Sequence, residues 1–123
     1  VEPQAVSSTS VGGGSIFDEF SLDVGDGNGD DIIYDAQSSD DLLVGVWGAQ
    51  LAVYYGGQPS VADCQAYVDS GAYTSVSITT YDIICYKTGS GNYGYLTING
   101  MFLDLNDNSN SYIDISYTTE VTQ

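Results

Sequence analysis

The chain has 123 residues, the size of one domain that folds alone, and a formal net charge of -16 at pH 7. Seventeen Asp and Glu residues stand against a single basic residue, which excludes a nucleic-acid partner or adhesion to anionic lipid, because both depend on Lys and Arg. The absence of His removes Ser-His and Cys-His nucleophile pairs and the ligand set of a zinc hydrolase. We therefore expect a protein that is not an enzyme.

The remaining composition points to export from the cell. Eleven Tyr, fifteen Gly and two Cys residues, with no apolar run near the ~18 residues that span a bilayer, predict a β-rich chain that does not insert into membranes. Because the chain begins with Val1, we expect a mature extracellular or cell-surface form whose export signal has been removed. A trimmed chain or a domain of a larger surface protein are the alternatives.

The first fifteen residues form a predicted extended arm, and residues 16–123 form a single β-rich domain. Small and polar residues dominate the arm, which ends in Gly12-Gly13-Gly14-Ser15, a sequence typical of a flexible hinge. Such an arm can act as a strand donated to a neighbouring sheet, or it can lie back on its own domain. The predicted assembly residues are Val1, Ala5, Val6, Val11, Gly12, Gly13 and Gly14.

Short strands are predicted after the arm, at 17–24, at 32–34 and within 42–55. The last segment is almost free of charge and is long enough for two strands joined near Gly48, with Trp47 expected in the core. One short helix is predicted next, over 61–68. Ser60 and Asp63 have the spacing of a capping box, and Ser70-Gly71 marks the end of the helix.

The rest of the chain is predicted to be β-structure, with strands at 73–80, 82–88 and 112–121. Asn99-Gly100 predicts a two-residue hairpin between strands 93–98 and 101–105, because both positions of a type I′ turn need a positive φ. Together these elements predict an all-β fold, an antiparallel β-sandwich or open barrel of about seven to nine strands with one short helix.

The two cysteines, Cys64 and Cys85, are predicted to form a disulfide. An even pair in an exported protein usually closes, and a loop of about twenty residues would stabilise the fold by roughly 3 kcal/mol. Two buried thiols are the alternative. A reactive thiolate lacks a nearby His or a second close Cys.

The segment from Asp82 to Ile98 carries a resemblance. Its Cys85-Tyr86-Lys87-Thr88 and Tyr93-Gly94-Tyr95-Leu96-Thr97-Ile98 resemble a C-x-[KR]-T-x-x-G-x-Y-G-x-L-x-I pattern of small secreted bacterial β-domains of poorly defined function. The resemblance implies secretion, a disulfide and a structural β-module, and it supplies no catalytic residue. Asn92 stands where many such segments have Arg.

Two acidic clusters could hold Ca²⁺ through oxygen ligands, although neither has the spacing of an EF-hand. Turn formation by Asp, Asn and Gly is the alternative for both. The second cluster lies within residues 104–114. A glycosidase would also need a pair of carboxylates, but a domain of this size has little room for the cleft that such an enzyme requires. The possible metal ligands of the first cluster are Asp23, Asp26, Asn28, Asp30 and Asp31.

The leading functional hypothesis is that the protein is a structural subunit of an extracellular, pilus-like filament. Each copy would donate residues 1–11 to the sheet of the next copy, which gives a homopolymer without a cofactor. The alternative is a secreted carbohydrate-binding module, either dependent on Ca²⁺ or independent of it, with aromatic side chains stacked on sugars. Its candidate aromatic residues are Trp47, Tyr54, Tyr55, Tyr93, Tyr95 and Phe102.

Overall fold

The structure is a computed structural model that describes residues 7–25, 29–36, 41–104 and 106–122. Within these residues the chain forms nine strands and one α-helix, which confirms the predicted all-β sandwich with one short helix. The elements are β1 (Ser7–Phe17), β2 (Ser21–Leu22), β3 (Ile32–Ala36), β4 (Asp41–Gly45), β5 (Gln50–Tyr54), α1 (Val61–Ser70), β6 (Ser75–Ser77), β7 (Ile83–Lys87), β8 (Tyr93–Phe102) and β9 (Tyr112–Thr122).

The strands form two antiparallel sheets. The larger has the order β1-β9-β8-β7-β5 and the smaller the order β2-β3-β4-β6. Side chains on the facing sides alternate with less buried ones, as β3 shows with Ile32, Tyr34 and Ala36 buried and the two residues between them half-buried. The apolar core between the sheets includes Ile16, Leu43, Leu51, Ile84, Leu96, Ile98, Ile113 and Ile115.

Helix α1 covers the outer face of the larger sheet. Its capping box is formed as predicted, with the Asp63 N–H donating to the Ser60 hydroxyl and the Ser60 N–H donating to the Asp63 carboxylate. The disulfide between Cys64 and Cys85 is present and joins α1 to β7. Because Cys85 alternates along β7 with core residues, this bond and its neighbours form a second apolar cluster behind the sheet.

The N-terminal segment differs from the predicted hinged arm. Residues 7–17 are one continuous strand that pairs with β9 of the same chain, so the predicted boundary at residue 15 falls inside β1. Gly12-Gly13-Gly14 lies within this strand. A Cβ atom on Gly13 would overlap the carbonyl oxygen of Ile115, so glycine permits close pairing here. Val1, Ala5 and Val6 lie outside the described residues.

The predicted Asn99-Gly100 hairpin is wrong. Strand β8 continues through this pair, and neither residue has the positive φ that a type I′ turn requires. Asn99 is instead the extra residue at a register shift opposite β9, between Ile98 and Gly100. This bulge lets both Ile98 and Met101 contact the core. The chain reverses later, before β9.

Two other segments also differ from the prediction. The expected strand over 17–24 is reduced to β2 because Phe17 ends β1 and a turn follows it. The segment 42–55 does form two strands, but Trp47 is not in the core. It occupies the turn between β4 and β5 with φ 56° and is 85% exposed, because the turn directs its side chain away from both sheets.

Candidate binding groove

A groove of about 640 Å³ lies between the C-terminal half of α1 and the neighbouring strands β5 and β6. Its position follows from the fold, because β5 and β6 are the edge strands of the two sheets on the same side of the sandwich. Three tyrosines and several small residues line it: Ala52, Val53, Tyr55, Tyr67, Ser70, Gly71, Tyr73, Ser75, Val76 and Ser77.

Tyr67 forms a fixed wall of the groove. Its hydroxyl group donates a hydrogen bond of 2.9 Å to the carbonyl oxygen of Val53, and its ring lies 5.2 Å from the ring of Tyr54, centroid to centroid. Both tyrosines pack against the Cys64–Cys85 cluster. The disulfide therefore holds α1 against β7, the strand that pairs with β5 at the groove.

Tyr55 and Tyr73 present large exposed rings at the groove, being 81% and 69% exposed. The backbone of Tyr73 exchanges two hydrogen bonds with Leu51 of β5, of 2.7 and 2.8 Å. Tyr55 directly follows β5. Both aromatic rings are thus attached to backbone that the larger sheet positions, while the rings themselves stay accessible to a ligand.

The groove is uncharged in a chain of strongly acidic character. None of its lining residues is an Asp, Glu, Lys or Arg. The lining comes mainly from the stretches 42–62 and 70–81, which contain no Asp, Glu, Lys or Arg. The groove can therefore take a neutral ligand without the repulsion that an anion would meet from a net charge of -16.

The six aromatic residues predicted as a sugar-binding platform do not share one surface. Tyr54, Tyr93 and Tyr95 pack against the disulfide cluster, and the Phe102 ring stacks on Tyr112 at 5.4 Å. Trp47 is exposed in its turn. Among these six, Tyr55 is the residue that lines the groove.

Tyr93 joins α1 to the larger sheet through polar contacts. Its hydroxyl group donates a hydrogen bond of 2.7 Å to Asp69, and this bond raises the pKa of Tyr93 above its usual value. The Lys87 ammonium group lies over the Tyr93 ring, 5.4 Å from the centroid. These contacts orient the helix and leave Tyr93 outside the groove.

The first acidic cluster is partly described, and its described carboxylates hold turns together. Asp23 accepts the Gly25 N–H at 2.8 Å, buried Asp31 accepts the Val24 N–H at 3.0 Å, and Asp30 bonds the Ser21 hydroxyl. Asp26 and Asn28 lie outside the described residues. Over the part of the chain that is described, no three Asp, Glu, Cys or His side chains are grouped to hold a metal ion.

The second acidic cluster forms the loop between β8 and β9. Asp104 accepts the backbone N–H groups of Asn106 and Asp107 at 2.9 and 3.1 Å. These two hydrogen bonds hold the pKa of Asp104 below its usual value. The carboxylate therefore acts as the acceptor of an Asx-type turn.

A second and smaller hollow, of about 170 Å³, lies at the N-terminal half of α1. Val61, Ala62 and Gln65 line it from the helix, with Tyr93 and Glu120 from the sheet. It lacks the exposed aromatic surface of the groove. We therefore take the groove as the candidate binding site.

No protein-family model matches this chain, and neither a curated protein nor a solved structure matches it significantly. The resemblance to small secreted β-domains thus stays a prediction. In the described ranges, no helix is both long and apolar enough to cross a membrane.

Sequence reasoning found Tyr55 but missed Tyr67 and Tyr73. The sequence places Tyr67 in the predicted helix and Tyr73 in a predicted strand, and no local pattern brings the two together. The available signal is a pair of stretches without charged residues, 42–62 before the helix and 70–81 after it. The first supplies β5, and the second supplies Tyr73 and β6.

Proposed function

We propose that this protein is a secreted, non-enzymatic module that binds neutral glycans in the groove formed by Tyr55, Tyr67 and Tyr73. The observation that carries the proposal is the combination of exposed tyrosine rings, serines and an uncharged lining in one concave surface. Binding sites of this kind combine apolar and aromatic walls with a few polar groups that fix orientation.

The mechanism divides recognition between rings and hydroxyl groups. The Tyr55 and Tyr73 rings offer apolar faces to the C–H surface of a pyranose, while their hydroxyl groups can bond sugar hydroxyls. Ser75 and Ser77 add further donors and acceptors. Uronic acids and sulfated sugars are disfavoured, because the net charge of -16 repels them.

Secretion is part of this proposal and rests on two supports. The Cys64–Cys85 disulfide is of the type that persists in oxidising compartments. The resemblance of residues 82–98 to secreted β-domains points the same way. Expression with an export signal should give protein without free thiols, whereas recovery of a stable dithiol form would argue against the proposal.

Native electrophoresis in gels that contain a polysaccharide tests the binding. We expect retardation by a neutral polymer such as laminarin, mannan or hydroxyethyl cellulose, and none by polygalacturonate. The double variant Tyr55→Ala/Tyr73→Ala should lose at least tenfold in affinity at unchanged net charge. Tyr81→Ala is the matched control, because Tyr81 is 78% exposed and does not line the groove.

Two results would contradict the glycan proposal. One is the absence of retardation by every neutral polymer. The other is equal retardation of the wild type and the Tyr55→Ala/Tyr73→Ala variant.

Filament formation by strand donation is the second candidate function. The observation that permits it is that β1 lies at the edge of its sheet and is joined to β2 by residues 18–20 alone. The same strand could therefore leave its own β9 and pair with β9 of a neighbouring copy. Particles seen by electron microscopy that vanish on deletion of residues 1–14 would support donation, whereas assembly of the shortened chain would exclude it.

A further inference from the structure

The outer edge of β1 carries a row of hydrogen-bonding groups directed away from the sheet. In antiparallel pairing, alternate residues direct their N–H and C=O groups to the same side. The Asp18 N–H donates to the Ser111 carbonyl oxygen at 3.0 Å, in the same register that pairs Ile16 with Ile113. Residues 10, 12, 14 and 16 therefore bond β9, and residues 9, 11, 13 and 15 face outward.

Strand β1 itself carries no charge, proline or bulge that would protect a sheet edge, and it is not short. It is eleven residues long and contains no proline and no charged residue, and its pairing with β9 has no register shift. Natural proteins commonly protect edges with charges, prolines, bulges or very short strands. Val11 in the middle of β1 is 73% exposed.

The other sheet edges are closed or short. On β5, the backbone of Leu51 is bonded to Tyr73 and the carbonyl oxygen of Val53 accepts the Tyr67 hydroxyl group. Strands β2 and β6 have two and three residues. Among the described strands, β1 is therefore the edge best suited to add a further strand.

We propose that the outer edge of β1 pairs antiparallel with β1 of a second copy of this chain. The charge of the molecule favours this edge for self-association. Two copies that each carry a charge of -16 repel one another, so their closest contact belongs where neither contributes a charge, and β1 contributes none. Antiparallel pairing of identical strands also satisfies the two-fold symmetry of an isologous dimer.

This contact differs from strand donation in both geometry and outcome. Each β1 keeps its hydrogen bonds to β9 of its own chain, and the two five-stranded sheets join into one sheet of ten strands. A two-fold contact closes after two copies and does not propagate a fibre. The inference is independent of the glycan proposal, because the groove lies at β5 on the opposite edge of the same sheet.

Amide hydrogen exchange tests the inference in the unmodified protein. At high concentration we expect slow exchange at Thr9, Val11, Gly13 and Ser15, and exchange at least tenfold faster after dilution. The amides of residues 10, 12 and 14 should stay protected at both concentrations, since β9 is their partner. Fast exchange of the outward-facing amides at every concentration would overturn the proposal.

Substitutions at the edge supply the second test, read by light scattering at 0.15 M salt. We expect the wild-type mass to rise with concentration from 13.0 kDa toward twice that value. Val11→Lys should weaken the dimer at least tenfold, because each copy would bring a charged side chain to the middle of an edge that otherwise has none. Val11→Pro should do the same, because the missing N–H faces outward and the β9 ladder is kept.

Ser116→Lys is the matched control, since it makes the same addition of charge at an exposed position of β9, one strand in from the edge. It should dimerise as the wild type does. Native amide spectra of each variant establish that it is folded. A wild type that remains at 13.0 kDa throughout, or a folded Val11→Lys protein that dimerises normally, would refute the β1 contact.

Discussion

The hydroxyl group of Tyr67 on α1 donates a hydrogen bond of 2.9 Å to the carbonyl oxygen of Val53 on β5. This bond has two effects on the molecule. It closes part of the β5 edge, and it fixes one wall of the tyrosine groove. The position of α1 against the edge strand β5 therefore also determines the shape of the candidate binding groove.

Tyr67→Phe should lower the free energy of unfolding by about 1 kcal/mol, because it removes this hydrogen bond and keeps the ring that packs on Tyr54. Urea denaturation measures the change. Tyr81→Phe is the matched control, since Tyr81 is exposed, and should be neutral. Equal stability of both variants would show that the Tyr67 hydroxyl group contributes nothing measurable.

Cys64→Ala/Cys85→Ala should lower the free energy of unfolding by about 3 kcal/mol. The cysteines are 21 residues apart in sequence, and opening a loop of this length restores conformational entropy to the unfolded chain. Denaturation of the variant against the oxidised wild type measures the loss. Glycan retention should fall as well if α1 moves away from β5. An unchanged midpoint would contradict the structural role given to the disulfide.

Gly13→Ala and Gly14→Ala should have different effects, although they are neighbours within β1. A methyl group on Gly13 would overlap the Ile115 carbonyl oxygen, whereas nothing lies within 4 Å of the corresponding position on Gly14. We expect Gly13→Ala to cost about 1–3 kcal/mol, and Gly14→Ala to be neutral or stabilising by up to about 1 kcal/mol. Equal, small effects would indicate a flexible hinge instead of a paired strand.

Asp63 should make helix α1 sensitive to acid. Its pKa is lowered chiefly by the hydrogen bond from the Ser60 backbone N–H, and also by the Ser60 side chain. A carboxyl group with a lowered pKa stabilises the fold above the ordinary pKa of Asp, and this contribution disappears as the pH falls through the lowered value. The stability difference between wild type and Asp63→Asn should therefore shrink below about pH 4.

Denaturation of both proteins between pH 2 and 7, with an NMR titration of the Asp63 carboxyl carbon, checks this prediction. A stability difference that is constant across the range would contradict it. So would a carboxyl carbon that titrates at the ordinary pKa of Asp.

The sequence predicted those features that are encoded locally. Helix α1 was found because Ser60 and Asp63 cap its first turn and Gly71 ends it, within about ten residues. The two strands on either side of Gly48 were found because apolar residues there are interrupted by glycine. The fold class followed from several such short elements.

Features that depend on distant partners were not predicted correctly. Asn99-Gly100 has the composition of a hairpin turn, but its bulge is defined by register against β9. The three glycines of β1 suggested a hinge, whereas Gly13 is accommodated against Ile115 from the far end of the chain. The groove depends on the Leu51–Tyr73 bridge, which no local pattern indicates.

The most direct test of glycan binding in the tyrosine groove is an amide NMR titration of the oxidised protein with a neutral β-glucan or mannan hexasaccharide. The proposal predicts saturable shift changes at residues 52–55, 67–71 and 73–77, lost in Tyr55→Ala/Tyr73→Ala and kept in Tyr81→Ala. Shift changes confined to other surfaces, or none with either sugar, would contradict it.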